Sequence, residues 1–353
     1  MRRVDLTLAG FGLIGSEVGR QVSANAVFWR SALDLDVRVV EIRSSRGRLA
    51  YDRNGLRSEA ISALTRRANP IDDADSAAAD GPALPFLMDA ATGTGAVDLA
   101  KRFLRDGGCV VYSNKAPLSQ ATPQASALWD AAGSGKVRYE TTCGAGLPVI
   151  STVASLLRSG DRVVQITGCL SGTLGAIFSS VADGQPMSTA IRAAKDAGYT
   201  EPDPRDDLSG LDVARKALIL ARTIGRKVDL EDLAIESLVP ADLATGSIDE
   251  FLDQIVAYDS GIASRQTAAV ESGATLKYVA TVPADGPIEV GLASVPTATV
   301  LGALQGPENI VSIRTERYDR YPLTISGPGA GAAVTAAGMI ADMLDLAHVA
   351  KES

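Results

Sequence analysis

The first 140 residues alternate short apolar runs with stretches of helical spacing. Between about residue 44 and residue 83 this periodicity weakens, and the polar and small residues at 72–82 predict a surface loop. Such alternation is typical of a parallel sheet whose strands are joined by crossover helices. The predicted strands are 4–8, 37–42, 86–88, 109–112 and 137–140.

The pattern changes in the second half of the chain, where helical segments come first and strand-like runs follow. The stretch 198–210 is rich in turn residues, and its prolines exclude a continuous helix. The later strand-like runs look antiparallel. The predicted helices are 149–159, 173–183, 188–197, 208–224 and 331–347, and the predicted strands are 163–168, 278–282, 288–295, 310–318 and 322–327.

Composition limits the chemistry that the chain can perform. The sequence holds one histidine, His348, in a tail that we expect to fray, so a histidine-based triad, dyad or zinc site would depend on a tail residue. Three widely spaced cysteines without a CxxC pair predict buried reduced thiols and a cytoplasmic protein. The net charge of −8 argues against nucleic acid or an anionic membrane as partner. We expect neither a signal peptide nor a membrane span.

A glycine-rich loop, GFGLIG, follows the first predicted strand and precedes a helical pattern over 16–27. In dinucleotide-binding folds these glycines permit a tight turn, close approach of the pyrophosphate and close helix packing. The position between strand and helix favours this interpretation over a merely tight turn. The candidate cofactor residues of the loop are Gly10, Phe11, Gly12, Leu13, Ile14 and Gly15.

The end of the second predicted strand bears on the choice between NAD and NADP. In this kind of fold an acid there binds the ribose hydroxyls of NAD, and an arginine binds the extra phosphate of NADP. The run EIRSSRGR offers Arg43, Arg46 and Arg48. We therefore expect NADP(H), with NAD(H) as the alternative, although a solvated basic loop explains the same residues.

The stretch 198–216, GYTEPDPRDDLSGLDVARK, resembles the signature of homoserine dehydrogenases. These enzymes interconvert L-aspartate 4-semialdehyde and L-homoserine with NAD(P) in the biosynthesis of threonine, methionine and isoleucine. Four further pieces agree in order: GFGLIG, SNKA at 113–116, ETTCGAGLP at 140–148 and GAG at 329–331. The resemblance covers essentially the whole chain.

The resemblance implies the fold as well as the activity. The expected class is α/β, with an N-terminal Rossmann-type parallel sheet and a second α+β domain for substrate binding and dimerisation. The dinucleotide-binding domain is expected at 1–140 plus about 328–353, and the second domain at 141–327. A homodimer acting on a small-molecule substrate follows from the same resemblance.

The signature contains a pair of opposite charges on one helix face. Asp212 and Lys216 are four residues apart, with the acid N-terminal to the base. Isolated pairs of this kind are usually solvated, but the apolar residues around this one leave little polar surface, which indicates a mostly buried helix. Reduction of an aldehyde by hydride needs a proton donor, and without histidine in the body of the chain lysine is the natural candidate.

The resemblance also implies roles for individual residues. Lys216 is implied as the proton donor and acceptor, and Lys115 as a second active-site lysine that positions substrate or nicotinamide. Carboxylates of the signature are implied to bind the substrate ammonium group. Further cofactor contacts are implied outside the glycine loop. The implied substrate residues are Glu201, Asp207, Asp212 and Lys115, and the implied cofactor residues are Arg43, Ala91, Thr92, Lys115 and Gly331.

A sodium ion is implied at the turn that follows the fifth predicted strand. Its ligands would be the side chain of Glu140 and the carbonyls of Cys143, Ala145 and Leu147. A carboxylate beside turn carbonyls suits a hard cation, and a plain strand-to-helix turn is the alternative.

Two features depart from the family pattern. The family usually has threonine or serine soon after the aspartate that ends the third predicted strand, whereas Asp89 is followed by Ala90 and Ala91, with Thr92 one place late. Many members also carry an N-terminal aspartate kinase or a C-terminal regulatory domain. The chain has neither, so we do not expect feedback by threonine through such a domain.

Two other classes of function remain as alternatives. An acylating semialdehyde dehydrogenase would use Cys143 as nucleophile, but that mechanism needs a base to form the thiolate. A nucleotide-binding regulator without catalysis would bind cofactor without turnover. Retention of Glu201, Asp212, Lys115 and Lys216 together argues against a regulator.

Overall fold

The computed structural model of the chain describes residues 1–64 and 83–349. These residues form two compact units. The first comprises Met1–Gly146 and the segment that starts at Ala330, and the second is Leu147–Gly329. The predicted loop over 72–82 lies outside the described residues.

Strands and helices occur in both units. The strands are β1 (Arg2–Ala9), β2 (Leu35–Ser44), β3 (Gly47–Tyr51), β4 (Ala83–Asp89), β5 (Cys109–Tyr112), β6 (Val137–Arg138), β7 (Val163–Cys169), β8 (Leu233–Ile235), β9 (Ala274–Pro283), β10 (Ile288–Pro296), β11 (Glu308–Thr315) and β12 (Leu323–Pro328). The helices are α1 (Leu13–Leu33), α2 (Ser58–Ala63), α3 (Val97–Arg105), α4 (Thr122–Gly133), α5 (Val149–Arg158), α6 (Gly172–Ala182), α7 (Met187–Asp196), α8 (Pro204–Leu208), α9 (Leu211–Thr223), α10 (Ile248–Gln254), α11 (Asp259–Glu271) and α12 (Ala332–Val349).

The sheet of the first unit has the strand order β3-β2-β1-β4-β5-β6. β3 runs antiparallel to β2, and the other neighbours are parallel. The predicted α/β fold with a Rossmann-type parallel sheet is confirmed. Every residue of β1 from Val4 to Ala9 is buried, as expected of a central strand covered on both faces. Because the parallel strands end at one edge, the loops after β1, β4 and β5 lie along that edge.

The helices α1 and α12 supply much of the core of the first unit. Val18, Val22 and Trp29 of α1 share one buried cluster with Met339 and Met343 of α12. The last helix of the chain therefore belongs to the same core as the first, although about 300 residues separate them in the sequence. Burial of these large apolar side chains is the main stabilising contribution to the unit.

The second unit is built on a mostly antiparallel sheet with the strand order β12-β11-β7-β9-β10-β8. β9 pairs antiparallel with both β7 and β10, while β8 adds to β10 in parallel. The prediction of antiparallel strands after residue 278 is confirmed. The predicted helices α5, α6, α7 and α9 precede these strands and lie in the same unit.

Three sequence predictions are wrong in detail. The fifth predicted strand ends at Arg138, and Glu140 begins a 3₁₀ helix, Glu140–Thr142, because its backbone N–H donates to Asp342 of α12 rather than to a neighbouring strand. The helix predicted from 208 begins at Leu211, since Gly210 has φ +71° and interrupts it. His348, expected in a tail without fixed structure, lies exposed in the last turn of α12.

One helix of the described residues is long and apolar enough to cross a membrane, by length and composition alone. It is α12, whose mean hydropathy is 1.3. Its sequence includes Asp342 and Asp345, and 44% of its residues are buried inside the protein. Packing against α1 accounts for the apolar composition of this helix.

The helices α10 and α11 were not predicted from the sequence. A local signal exists for α10, because Ser247 and Glu250 form a reciprocal capping box at its start. α11 has no such box, and of its residues only Ala269 is fully buried. Its apolar positions are therefore too scattered to give a helical stripe.

Candidate active site

The glycine loop connects β1 to the N-terminus of α1. Gly10 has φ +88°, and a Cβ there would lie 2.5 Å from the backbone nitrogen of Ala91. A Cβ on Gly15 would overlap the carbonyl oxygen of Gly10. The first turn of α1 contains no acidic residue, so the positive end of the helix is not neutralised locally. The loop is thus a close-packed turn beside a helix N-terminus, which is the arrangement that binds a pyrophosphate.

The arginines after β2 differ in their surroundings. Arg48 is buried, lies over the Tyr51 ring and forms an ion pair with Glu41 at 2.9 Å. Arg43 pairs with the same carboxylate at 2.6 Å and is partly exposed, while Arg46 is exposed in the turn between β2 and β3. Arg48 therefore stabilises the hairpin, and Arg43 and Arg46 are the arginines placed nearer the solvent.

The loops after β4 and β5 contain the residues Ala91, Thr92 and Lys115. Ala91 and Lys115 are half-buried, and Thr92 is exposed. Asp89, the last residue of β4, is fully buried, and burial raises the pKa of its carboxyl to about 6. Its carboxylate accepts hydrogen bonds from the Ala91 N–H and from the Asn114 amide. Candidate residues of three loops thus meet at one edge of the first sheet.

Lys216 lies on the mostly buried helix α9. Only 8% of the residue is exposed, and its Nζ atom is 2.8 Å from the Asp212 carboxylate. The same Nζ donates to the carbonyl of Leu170, just beyond β7, at 2.6 Å. The predicted ion pair within a buried helix is present. The ammonium thus contacts a charged partner from its own helix and a neutral partner just beyond the end of a strand.

Asp207 is another half-buried carboxylate of the signature. It accepts hydrogen bonds from the Glu201 backbone N–H at 2.8 Å and from the Thr173 hydroxyl at 2.9 Å. Burial raises its pKa, with smaller contributions from the negative charges of Asp212 and Asp206. Glu201 itself is exposed. Asp207 therefore holds the backbone of the loop that presents Glu201.

Three of the proposed sodium ligands, Glu140, Cys143 and Ala145, belong to the first unit. Glu140 is 7% exposed, and Ala145 has φ +53°, an uncommon value for a residue with a side chain. The neighbouring Asp342 is also buried. Burial and, to a lesser degree, the negative charge of Glu140 raise the pKa of the Asp342 carboxyl to about 7. The hydrogen bond from the Glu140 N–H partly offsets these two effects. The described residues contain no cluster of three or more His, Cys, Asp or Glu side chains suited to a metal.

The remaining candidates are Leu147 and Gly331. Leu147 is the first residue of the second unit, and its carbonyl accepts a hydrogen bond from the Val149 N–H. Gly331 has φ +135° and precedes α12. Cys143 is fully buried and, like the other two cysteines, forms no disulfide.

Three polar groups that contact the candidate site residues were not predicted from the sequence. They are the Asp89 side chain, the Leu170 carbonyl and the Thr173 hydroxyl. Leu170 lies 46 residues from Lys216, and Thr173 lies 34 residues from Asp207, so no local spacing relates them. Asp89 was recognised only as the end of a strand, whereas its burial with two donors is a property of the folded sheet.

A family model and the sequences of known proteins point to the same family. The family model described as homoserine dehydrogenase matches residues 148–344. The chain is 37% identical over 351 residues to a chloroplastic bifunctional aspartokinase/homoserine dehydrogenase 2 of Arabidopsis thaliana, an alignment that covers 96% of this chain and 38% of that protein. It is 39% identical over 276 residues to a homoserine dehydrogenase of Paracoccidioides brasiliensis, covering 74% of each.

A solved structure agrees on the fold. A hyperthermophilic archaeal homoserine dehydrogenase in complex with NADPH has a TM-score of 0.71 and 20% identity, and the match covers 98% of both chains. The chain spans little more than a third of the length of the bifunctional relatives. Together, the family model and the sequence relatives show that the chain belongs to the homoserine dehydrogenase family.

Proposed function

We propose that this protein catalyses the reversible, NAD(P)-dependent interconversion of L-homoserine and L-aspartate 4-semialdehyde, in the biosynthesis of threonine, methionine and isoleucine. The observation that carries the proposal is the buried Lys216, held by Asp212 and the Leu170 carbonyl within the segment that matches the family model. A buried amine whose position is held by such partners suits proton transfer to a single substrate atom.

The residues of the glycine loop fit a dinucleotide. A Cβ on Gly10 or Gly15 would overlap backbone atoms of the tight turn, and Gly12 is the N-cap residue of α1, whose positive end favours a phosphate. The nicotinamide group, when bound, supplies or accepts the hydride. The remaining proposed contacts are Phe11, Leu13, Ile14, Arg43, Ala91, Thr92, Lys115 and Gly331.

NADP(H) is the proposed preferred cofactor, with NAD(H) as the alternative. Support comes from the partly exposed Arg43 and the exposed Arg46 at the end of β2, and from the NADPH complex of the archaeal relative. Arg48 is withdrawn from this role, because it is buried against Tyr51 and Glu41.

Lys216 performs the proton transfer in this proposal. During aldehyde reduction the carbonyl oxygen gains negative charge, and the Lys216 ammonium donates a proton to it. During alcohol oxidation the neutral amine accepts the hydroxyl proton as the hydride leaves carbon. Asp212 and the Leu170 carbonyl keep Nζ at one place, and Lys115 orients the substrate or the nicotinamide.

The substrate ammonium is assigned to the carboxylates of the signature. Glu201 and Asp212 are exposed or partly exposed and have the charge that an ammonium needs. Asp207 acts in support, since both of its oxygens already accept hydrogen bonds. A sodium ion bound by Glu140 with the carbonyls of Cys143, Ala145 and Leu147 completes the proposed ligands. We place this activity in a cytoplasmic homodimer.

The test is a side-by-side assay of homoserine-dependent reduction of NADP⁺ and NAD⁺, followed at the nicotinamide absorbance. We expect turnover with both, and a higher kcat/KM with NADP⁺. Coenzyme A or phosphate should not be needed. Dependence on either would support the acylating alternative, although the full burial of the Cys143 thiol opposes it. Cofactor binding without turnover would support the regulator and overturn the proposal.

A further inference from the structure

Asp89 connects several loops at the carboxyl edge of the first sheet. It is the last residue of β4 and is 0% exposed. Its main-chain carbonyl accepts hydrogen bonds from the backbone N–H groups of Ser113, at 3.0 Å, and Asn114, at 3.3 Å. The end of β4 is therefore tied through its backbone to the segment that follows β5.

The side chain of Asp89 adds a second set of bonds. Oδ1 accepts from the Ala91 N–H at 2.9 Å, and Oδ2 accepts from Asn114 Nδ2 at 3.2 Å. The same Nδ2 donates to the Gly93 carbonyl at 2.7 Å, and Asn114 Oδ1 accepts from the Ala116 N–H at 3.1 Å. We call the Asp89 and Asn114 side chains the carboxylate–amide clamp.

The clamp holds the backbone on both sides of residues that the proposed function uses. Ala91 lies against the glycine loop so closely that a Cβ on Gly10 would come within 2.5 Å of its nitrogen. Lys115 lies between Asn114 and Ala116, whose side-chain amide and backbone N–H bond to each other. A displacement of the clamp would therefore shift Ala91, which lies against the glycine loop, together with Lys115.

A purely structural role does not require an acid here. A buried carboxylate is costly unless its oxygens are satisfied, and the pKa of Asp89, raised by burial to about 6, reflects that cost. A carboxylate accepts from two donors and donates to neither, so it fixes the orientation of both the Ala91 N–H and the Asn114 amide. The titratable group that faces it from β5 is the buried Tyr112 hydroxyl.

We propose that Asp89 is a positioning residue for the reaction, which acts through Asn114 and Ala91 to align Lys115 with the loop after β4. This inference rests on the proposed function. Such a network contributes to catalysis by holding the reacting groups in a fixed position. A displacement of about 1 Å can reduce turnover about a hundredfold.

The experiment is a swap of the two clamp residues. In Asp89→Asn the new amide meets the Asn114 amide donor to donor, and in Asn114→Asp two carboxylates face each other. In the double variant the amide at position 89 accepts from the Ala91 N–H and donates to the carboxylate at position 114. That carboxylate in turn accepts from the Ala116 N–H, whereas its contact with the Gly93 carbonyl becomes one between two acceptors, so the recovery is expected to be incomplete. Each single variant should lower kcat about 10- to 100-fold with KM for homoserine within about threefold, and the swap should recover kcat to within about tenfold of wild type.

A matched control comes from the other end of the same sheet. Asp36 of β2 is also a buried aspartate, paired with Arg30 and Arg38. Asp36→Asn removes a buried carboxylate away from the carboxyl edge and should leave kcat unchanged at temperatures below its unfolding transition. Equal losses in both aspartate variants would overturn the proposal, as would a swap no better than the single variants.

Binding of NADPH separates failure of this inference from failure of the proposed function. If wild-type protein shows no homoserine-dependent turnover, the proposed function fails. The clamp is then judged by the Kd for NADPH, measured by fluorescence titration. Asp89→Asn should weaken binding and the swap should restore it, and an unchanged Kd across the set would overturn the clamp by itself.

Discussion

At the scale of single residues, Lys216 depends on a chemical environment that few lysines have. Its ammonium is buried but keeps a carboxylate at 2.8 Å and a carbonyl at 2.6 Å, so its charge is compensated without bulk water. A lysine in this setting has a fixed direction for its protons. That fixed direction is what a proton donor requires and what a solvated surface lysine lacks.

The first prediction concerns this amine. Lys216→Ala should lower kcat about 10²- to 10⁴-fold, the usual contribution of a general acid or base, while the Kd for NADP(H) stays within about twofold. Lys227→Ala, at an exposed lysine beyond the end of α9, is the control and should behave as wild type. Steady-state kinetics and fluorescence titration measure both. Near-normal turnover of the Lys216 variant would falsify the proton-transfer role.

The second prediction concerns pH and Asp89. Its pKa is raised by burial from 3.8 to about 6 in the folded state, so the folded protein binds this proton more tightly than the unfolded chain does. Stability from this group is therefore fully present at low pH and is lost as pH rises through about 6. The difference in unfolding free energy between wild type and Asp89→Asn should decrease by about 1 kcal/mol from about pH 5 to about pH 7.5.

Urea unfolding at the two pH values measures this change. Asp36 is the matched control: burial raises its pKa, but hydrogen bonds from Arg38 and Arg30 outweigh that effect and hold the pKa below 3.8. The corresponding difference for Asp36→Asn should stay constant over the same range. A constant difference for Asp89→Asn as well would contradict the prediction.

At the scale of elements, the start of α9 determines where Asp212 and Lys216 lie. Gly210 caps the helix in the left-handed region, with φ +71°, and α8 ends two residues earlier. The Tyr278 hydroxyl occupies the space that a side chain at 210 would need, and it donates to the Glu236 carbonyl at 2.7 Å. The break between the two helices is thus set by a contact with β9.

The third prediction tests this break. Gly210→Ala should destabilise the protein by about 3 kcal/mol, because it combines a disfavoured φ with overlap against Tyr278. Gly225→Ala, just beyond the other end of α9, is the control. It has φ +90° but no atom within 4 Å of the new Cβ, and it should cost about 1 kcal/mol. Chemical denaturation gives both values, and equal losses would exclude the Tyr278 contact as the cause.

At the scale of the whole molecule, the edge strand β12 offers a surface through which the expected homodimer could form. Its residues alternate between half-buried and exposed, and its one neighbour in the sheet of the second unit is β11. Leu323 and Ile325 lie on the half-buried side and Thr324 on the exposed side. An edge of this kind is a ready surface for pairing with a second copy.

The fourth prediction is the mass in solution. Light scattering should give about twice the chain mass of 36.5 kDa. Ile325→Glu should shift the protein towards the monomer, whereas Thr324→Glu, one residue away on the other side of the strand, should not. A monomeric wild type at micromolar concentration would refute the assignment.

Much of the fold follows from local pattern. The strands of the first sheet, the helix after the glycine loop and the antiparallel strands of the second half are all visible as hydrophobic runs, because burial on one or both faces imposes that pattern. The end of the fifth strand and the start of α9 were misplaced. In both cases a tertiary contact decided the boundary: Asp342 at Glu140 and Tyr278 at Gly210.

The sequence by itself determined the family, the parallel sheet and the pairing of Asp212 with Lys216, since these depend on motifs and spacings that can be followed in order along the chain. The tertiary structure decided which polar groups surround them. Leu170 reaches Lys216 across 46 residues, and Asn114 reaches Asp89 across 25. Such partners meet only when separate strands end at the same edge of a sheet or beside the same helix, and no local rule of spacing contains that information.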